Sequence, residues 1–206
     1  FIFFVGEKND DNFFKLSYKT IVPLEGIKDN RVTDTEKVQN IIKKNIYLIE
    51  QKFNNIFKEI VIILENFNPT FINLTGFKKL NGTQILKENV TYILNKLKSY
   101  VDETEQEKKI LHIFNSNFFL DNKKIQNLPI GLFGNAYSHE LSFSLIGNND
   151  FKNIQNILKK FNLKIKKILL KSFILGSNIS NNSDNLETFF KIKLNENNSR
   201  IFYFEN

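Results

Sequence analysis

Apolar residues recur every three or four positions in three segments of the chain, and this spacing predicts amphipathic helices. The positions that share one helical face are Val38, Ile41, Ile42, Ile46, Ile49 and Phe53 in the first segment, Val90, Ile93, Leu94, Leu97 and Val101 in the second, and Phe151, Ile154, Leu158 and Phe161 in the third. Thr33 precedes Glu36 by three residues, which is the spacing of a capping box. We therefore expect a capping box at the start of the first helix.

Short apolar runs and alternating stretches predict strands between these helices. They cover residues 1–5, 13–22, 60–64, 71–79, 109–120, 140–146, 163–170, 189–194 and 200–204. The first two strands and the last two are each expected to form a hairpin. In the 109–120 strand, alternation predicts Ile110, His112 and Phe114 on one face. Leu111 and Ile113 are expected on the other face.

A loop rich in proline and glycine precedes the 140–146 strand. Pro129 fixes one backbone dihedral, and Gly131 and Gly134 permit positive ones, so residues 128–134 are expected to form a constrained loop. The strand that follows places its alternate apolar residues on one face.

The order of these elements favours an α/β fold with an insertion. The first 64 residues run from a hairpin through a helix to a short continuous strand, which is typical of an α/β layer. Asn68-Pro69 ends that layer, and residues 71–161 read as strand, helix, strand, strand and helix. The 163–170 strand then returns to the layer, and a short helix is expected over 171–178.

The composition excludes several classes of protein. The chain has 206 residues, 41% of them hydrophobic, and no cysteine, so disulfides and thiolate metal sites are excluded. Its longest apolar run, Ile60–Leu64, is far shorter than the roughly 20 residues of a membrane-spanning helix. The chain has no methionine and begins with Phe1, so we expect it to be a fragment of a longer protein.

The net charge of +7 raises the possibility of an anionic partner. The lysines that would form a basic patch are Lys159, Lys160, Lys164, Lys166, Lys167 and Lys171. No aromatic residue is interleaved among them at the spacing that single-stranded nucleic acid requires. Lysine and asparagine are abundant together with isoleucine and phenylalanine, which is the composition expected from an AT-rich genome. Composition therefore explains the charge better than a dedicated basic surface does.

Catalytic residues are scarce. The chain has two histidines, of which His112 lies in an apolar strand and His139 stands beside Glu140. A packed core histidine is the simpler interpretation of the first, and a single His-Glu pair is weak support for acid–base chemistry or for a metal site. No phosphate-loop, dinucleotide-binding or nucleophile-elbow motif occurs. We expect no catalytic residue and no metal site.

Three stretches of the chain are similar to segments of a known protein family. Residues 25–36 (EGIKDNRVTDTE) are similar to the segment that leads into the first helix of the family's subdomain 1A. The stretch from Leu111-His112 to Gly134, with Asp121 between them, is similar to a block of subdomain 1C. Residues 162–165 (NLKI) resemble the return from 1C into 1A. On these stretches the chain resembles FtsA, the bacterial actin-like cell-division family.

The resemblance implies an actin-like (ribonuclease H-like) α/β fold, in which subdomain 1A is interrupted by an α+β 1C insert of the strand-helix-strand-strand (SHS2) type. Residues 1–67 would be the first part of 1A, and residues 68–162 the insert. Residues 163–185 would be the return to 1A, and residues 186–206 a hairpin at the start of subdomain 2A. The family's first strand and its phosphate-binding loop would precede Phe1.

The family binds Mg-ATP through a glycine-rich turn of the form Asp-x-Gly-Gly-Gly-Thr-x-Asp. The corresponding residues here, 193–200, contain no glycine. Lys193 and Arg200 stand at the places of the two aspartates, and Glu196 adds a negative charge. Because glycine lets backbone N–H groups approach a phosphate, we expect no ATP or magnesium cofactor and no ATPase activity from this chain.

The function implied by the resemblance is that of a cell-division scaffold at the cytoplasmic face of the inner membrane. Such a protein tethers FtsZ filaments to the membrane, recruits later division proteins through 1C and self-associates into filaments. The FtsZ-binding subdomain and the membrane-binding helix of the family would lie outside this chain. Leu132, Phe133 and Tyr137 are the candidate partner-binding residues and are expected to be surface anchors, because aromatic loop residues often supply binding energy. The alternative is that Phe133 packs over the sheet of 1C. An ATPase fragment of the actin/Hsp70 superfamily and a basic nucleic-acid-binding module are the alternatives.

Overall fold

The computed structural model describes residues 1–8, 14–29, 31–65, 69–182, 188–194 and 199–205. The helices are α1 (Thr35–Phe53), α2 (Lys87–Thr104), α3 (Asn148–Lys159) and α4 (Lys171–Asn181). The strands are β1 (Ile2–Lys8), β2 (Phe14–Ile21), β3 (Ile27–Lys28), β4 (Arg31–Val32), β5 (Glu59–Leu64), β6 (Thr70–Lys79), β7 (Lys108–Leu120), β8 (Lys123–Ile125), β9 (Ala136–Gly147), β10 (Lys164–Leu170), β11 (Thr188–Leu194) and β12 (Ser199–Glu205). The predicted helices and strands are confirmed, with boundaries that differ by a few residues.

The chain divides into two compact units. The first contains Phe1–Val61 and Lys152–Lys166, and the second contains Ile62–Phe151 and Lys167–Asn206. The chain passes between them within β5, within α3 and within β10.

The first unit contains the β1–β2 hairpin and α1. The two strands pair antiparallel, with a register shift between Val5 and Gly6. Helix α1 buries Val38 and Ile49, which the apolar periodicity predicts. It also buries Asn45, whose side-chain amide donates to the Ile41 carbonyl oxygen (2.8 Å) and so stays hydrogen-bonded.

Helix α1 begins with a different cap from the predicted one. Asp34 is the N-cap residue, and its carboxylate accepts a hydrogen bond from the Lys37 N–H (3.0 Å). The capping box of Thr33 and Glu36 is therefore wrong. The Thr33 and Asp34 N–H groups instead donate to the Gly26 carbonyl oxygen, which places Thr33 in the preceding turn. An aspartate cap also places a negative charge at the positive end of the helix dipole.

The second unit is built around a four-stranded antiparallel sheet of order β6-β9-β7-β8. Helix α2 covers one face of it. The fully or nearly buried residues of this core are Leu80, Ile85, Ile93, Leu97, Val101, Tyr137, Leu141, Phe143 and Leu145. Gly76 of β6 lets α2 approach closely, since a Cβ there would collide with the Ile93 side chain.

Strand β7 departs from the predicted alternation because it contains two bulges. Its register against β9 shifts between Ile110 and His112, and again between Asn115 and Asn117. Leu111 is the extra residue at the first shift, so Ile110 and Ile113 share the face that α2 covers. His112 and Phe114 lie on the opposite face, where both rings contact Phe173 of α4. The predicted grouping of Ile110 with His112 is wrong, because a bulge inserts one residue into the period of two.

Strands β5 and β10 form a separate two-stranded pair. The Lys164 N–H donates to the Lys58 carbonyl oxygen (2.8 Å) where the two strands begin. The Lys171 ammonium contacts the Glu65 carboxylate (2.7 Å) where both have just ended. Because the starts of the two strands are hydrogen-bonded to each other and their ends are also in contact, the two strands run parallel. The β11–β12 hairpin pairs antiparallel, as predicted.

Candidate functional site

Residues 128–133, named here the apolar loop, place several large apolar side chains in solvent. Leu132 is 51% exposed and Phe133 is 70% exposed, and Leu128 and Ile130 are also exposed. Leu132 and Phe133, two of the candidate partner-binding residues, therefore lie on the surface, and their role in binding stays a prediction. Apolar surface concentrated on one short loop is a feature of protein-binding sites.

The backbone of the apolar loop is fixed against the 80–85 segment. The Ile85 N–H donates to the Leu132 carbonyl oxygen (2.8 Å), and the Gly131 N–H donates to the Ile85 carbonyl oxygen (2.9 Å). The Gln84 side-chain amide donates to the Gly131 carbonyl oxygen (2.7 Å). Gly131 has φ +93°, which is easily adopted only by glycine. The loop is therefore held in one conformation while its apolar side chains point outward.

Asp121 holds the C-terminal end of the same loop. Its carboxylate accepts hydrogen bonds from the Asn135 and Ala136 N–H groups, both at 2.8 Å. Asp121 and Asn122 have φ +49° and +64° and form the tight turn between β7 and β8. Two hydrogen bonds to one charged oxygen fix the chain where the loop enters β9.

Tyr137 is fully buried in the core under α2, so its predicted placement as a surface anchor is wrong. Burial raises the pKa of its hydroxyl to about 12. The residue belongs to β9 and not to the loop. Tyr137 lies an even number of residues from Leu141 and Phe143, so the alternation of a strand places all three side chains on the same buried face. This spacing could have indicated the burial of Tyr137 from the sequence.

His139 and Glu140 do not form an acid–base pair, because they lie on opposite faces of the sheet. His139 is buried, and its Nε2 lies 3.1 Å from the Asn115 side-chain oxygen. Burial lowers the pKa of His139. Glu140 instead accepts a hydrogen bond from the Asn117 side-chain amide (2.6 Å).

His112 packs in an aromatic cluster with Phe114 and Phe173. Burial also lowers its pKa. Within the part of the chain that the structure describes, no three His, Asp or Glu side chains group closely enough to hold a metal ion.

A cluster of charges lies where β5 and β10 end. Glu65 contacts the Lys171 ammonium at 2.7 Å and the Lys193 ammonium at 3.6 Å. The hydrogen bond from Lys171 is the main cause that lowers the pKa of Glu65. Lys193 and Arg200 stand opposite each other in the β11–β12 register. Glu196 and the rest of the turn between them lie outside the described residues.

The predicted basic patch is partly occupied by local contacts. The Lys160 ammonium donates to the Gln39 side-chain oxygen (3.1 Å), and the Lys166 ammonium contacts the Glu59 carboxylate (3.3 Å). Lys171 contacts Glu65, as described above.

Of the helices in the described ranges, none is both long and apolar enough to cross a bilayer.

Comparison with known proteins agrees with the resemblance seen in the sequence. No family model matches the chain. The cell division protein FtsA of Buchnera aphidicola subsp. Schizaphis graminum is 22% identical to it over 165 residues, which cover 80% of this chain and 39% of that protein. A solved structure of the PilM-PilN type IV pilus biogenesis complex superposes with a TM-score of 0.58 at 9% identity, over 99% of this chain and 55% of that one.

PilM has an actin-like fold. The chain is an FtsA-like protein with an actin-like fold. The FtsA-like chain spans about two fifths of its FtsA relative and about half of the PilM chain.

Proposed function

We propose that the chain is part of a cell-division scaffold of the FtsA type. In this role the whole protein helps to tether FtsZ filaments to the inner face of the inner membrane. It also self-associates and recruits later division proteins. The observation that carries the proposal for this chain is the apolar loop, where Leu132 and Phe133 are exposed on a backbone fixed by hydrogen bonds.

The subdomain assignment is part of the same proposal. Residues 1–67 and 163–185 are assigned to subdomain 1A, residues 68–162 to the 1C insert of SHS2 type, and residues 186–206 to the start of 2A. The order β6, α2, β7, β8 and β9, which lies between β5 and β10, supports an inserted strand-helix-strand unit. In this arrangement the apolar loop belongs to 1C, and contacts with FtsZ and with the membrane are made by parts of the protein outside this chain.

We also propose that the chain does not support ATP hydrolysis. Lys193 stands at the place of a family aspartate, and its side chain is an ammonium group, which cannot bind a metal ion as a carboxylate does. This ammonium contacts the Glu65 carboxylate at 3.6 Å. The actin-like fold favours the alternative of an ATPase. A tight, magnesium-dependent complex of ATP with the full-length protein, measured by calorimetry, would support that alternative instead.

The docking role of the loop is tested with the double variant Leu132→Ser, Phe133→Ser in the full-length protein. Removing the two most exposed apolar side chains of the loop reduces its apolar contact surface and leaves its backbone hydrogen bonds in place. We expect affinity for the cytoplasmic segment of at least one later division protein to fall by about tenfold or more, because interface anchors typically contribute upwards of about 1.4 kcal/mol. Biolayer interferometry with immobilised cytoplasmic peptides measures this.

The matched control is Leu24→Ser, Ile56→Ser, which removes two comparably exposed apolar side chains from the other unit. It is expected to bind as the unchanged protein does. Equal binding by the loop variant, the control and the unchanged protein would remove the support for docking at this loop.

A further inference from the structure

The sheet of the second unit has one long unprotected edge. In the described part of the chain, β6 pairs only with β9, through ten consecutive residue pairs from Thr70 to Lys79 and without a bulge. The opposite edge is β8, which has three residues, two of them lysines. Proteins usually protect sheet edges by shortening them, charging them or adding a bulge. Edge β8 is protected in this way, and most of β6 is not.

The outward face of β6 is exposed along its whole length. Phe71 and Phe77 are each 56% exposed, and Asn73 and Thr75 between them are also exposed. The other face packs under α2 through Ile72, Leu74 and Gly76. Among the described residues, the outer edge of β6 therefore has no strand partner, and a row of solvent-exposed side chains lies beside that edge.

The sequence of β6 is nearly symmetric about Leu74. If two copies of this strand pair antiparallel with Leu74 opposite Leu74, then Phe71 lies opposite Phe77 of the second copy. In the same register Asn73 lies opposite Thr75 of the second copy. Aromatic pairs are favourable across strands, and Asn and Thr side chains can hydrogen-bond to each other. A two-fold interface repeats each of these pairs.

The charges of β6 fit this register. Lys78 and Lys79 at the end of the strand would face Thr70 and Pro69 of the second copy. The lysines of the two copies are thus kept apart and do not repel each other across the strands. No acidic or basic residue occupies 70–77, so the central pairs carry no charge.

We propose that β6 pairs with β6 of a second copy of this chain, joining two four-stranded sheets into one continuous sheet. A contact made by one strand pair is small, so the dimer is weak and depends on concentration. The proposal rests on the β6 edge alone and does not depend on the proposed scaffold function or on the apolar loop.

The first test uses the absence of cysteine from the chain. Asn73→Cys and Thr75→Cys are prepared as separate single variants of the full chain and mixed under mild oxidation. In the proposed register, position 73 directly faces position 75 of the second copy, at a Cα separation of about 4.5–5.5 Å, whereas 73 faces 73 only diagonally at about 7–8 Å. A disulfide needs a Cα separation below about 6.8 Å.

The mixture is therefore expected to form at least about tenfold more disulfide-linked dimer than either variant alone, because only the mixture places two thiols within disulfide range. Non-reducing electrophoresis and mass spectrometry quantify the dimer. Equal cross-linking in the three samples, or none in the mixture, overturns the proposed register.

The second test measures the dimer directly by sedimentation equilibrium. The double variant Asn73→Lys, Thr75→Lys places lysine opposite lysine twice, and we expect its dimer dissociation constant to rise by about tenfold or more. Asn73→Asp, Thr75→Lys places opposite charges together and is expected to dimerise at least as well as the unchanged chain. Gln126→Lys, Gln155→Lys adds the same charge at exposed positions outside β6 and should change nothing.

Circular dichroism establishes that each variant is folded. If the unchanged chain is a monomer at its highest soluble concentration, the proposal is overturned. If the two-lysine variant dimerises normally but loses a protein partner, β6 is a docking strand for that partner, and the proposal is overturned as well.

Discussion

At the scale of single residues, the sheet of the second unit contains polar side chains whose burial costs free energy. Tyr137, His139 and Ser144 of β9 are all buried. The Tyr137 hydroxyl, the His139 Nδ1 and the Ser144 hydroxyl each lack a hydrogen-bond partner among the described residues. An unpaired buried polar atom costs about 1–3 kcal/mol, so these three residues make the unit less stable than its apolar packing would allow.

His139 makes the stability of the second unit depend on pH. Its pKa in the folded state lies below the ordinary value of 6.5, because burial disfavours the charged ring. As the pH falls below about 6.5, the unfolded chain binds a proton that the folded chain does not, so the free energy of unfolding decreases. We expect His139→Gln to reduce this decrease between pH 7.5 and pH 5.5 by up to about 1.4 kcal/mol per pH unit.

Urea unfolding at the two pH values measures the change. His112→Gln is the companion variant, since burial lowers the pKa of His112 in the same direction. A pH dependence that is the same in the unchanged chain and in His139→Gln would contradict this assignment.

At the scale of elements, the packing of α2 on β6 depends on Gly76. A Cβ at this position would collide with Ile93 and lie 3.2 Å from the Leu97 side chain, and both residues are buried. Gly76→Ala is expected to lower the free energy of unfolding by about 1–3 kcal/mol, because the helix must move away from the sheet. Gly134→Ala offers no neutral comparison, since its Cβ would meet Leu120.

A better control is Ser99→Ala, an exposed position on α2 where alanine favours the helix. Thermal unfolding of both variants distinguishes the two effects. If Gly76→Ala unfolds at the same temperature as the unchanged chain, the close approach of α2 to β6 is not needed for stability.

The elements themselves were predictable from the sequence, because hydrophobic periodicity records which face each element buries. Hydrophobic periodicity did not predict the places where a strand or a helix end departs from the regular pattern. The bulges at Leu111 and Ser116 arise from strand pairing that no single strand specifies. The cap of α1 was placed one residue early, since Thr33 and Asp34 are both good caps and tertiary contacts with Gly26 decide between them.

The candidate site was predictable only in part, for a related reason. Pro129 and Gly131 marked a constrained turn in the sequence, and the structure shows that Leu132 and Phe133 are exposed on it. Tyr137 was assigned to the same loop because no turn signal separates it from Gly134. Its burial becomes evident only when the phase of β9 is extended backwards from Leu141.

At the scale of the whole molecule, the chain has a net charge of +7, and several of its lysines are paired locally with carboxylates. Lys108, Lys166 and Lys171 each form an ion pair with a glutamate of their own unit. Charges that are paired in this way contribute less to a long-range field than a cluster of unpaired lysines would. The local pairing of these lysines therefore favours a basic protein without a dedicated nucleic-acid-binding surface.

We accordingly expect the chain to show no measurable binding to duplex DNA at about 50 mM salt, where electrostatic binding is strong. Fluorescence anisotropy with a labelled duplex measures this. Binding that weakens steeply between about 50 and 200 mM salt would instead support the nucleic-acid-binding alternative.

The two extra residues of β7 are the places where this strand can change in length. Leu111 and Ser116 have no residue of their own opposite them on β9, so the loss of either leaves every other side chain on its present face. Loss of one residue elsewhere in the strand would carry the side chains beyond it from core to solvent. Homologous proteins can therefore differ by one residue in the length of this strand at either of these two positions. Alignments of relatives as distant as 22% identity should place their single-residue gaps there.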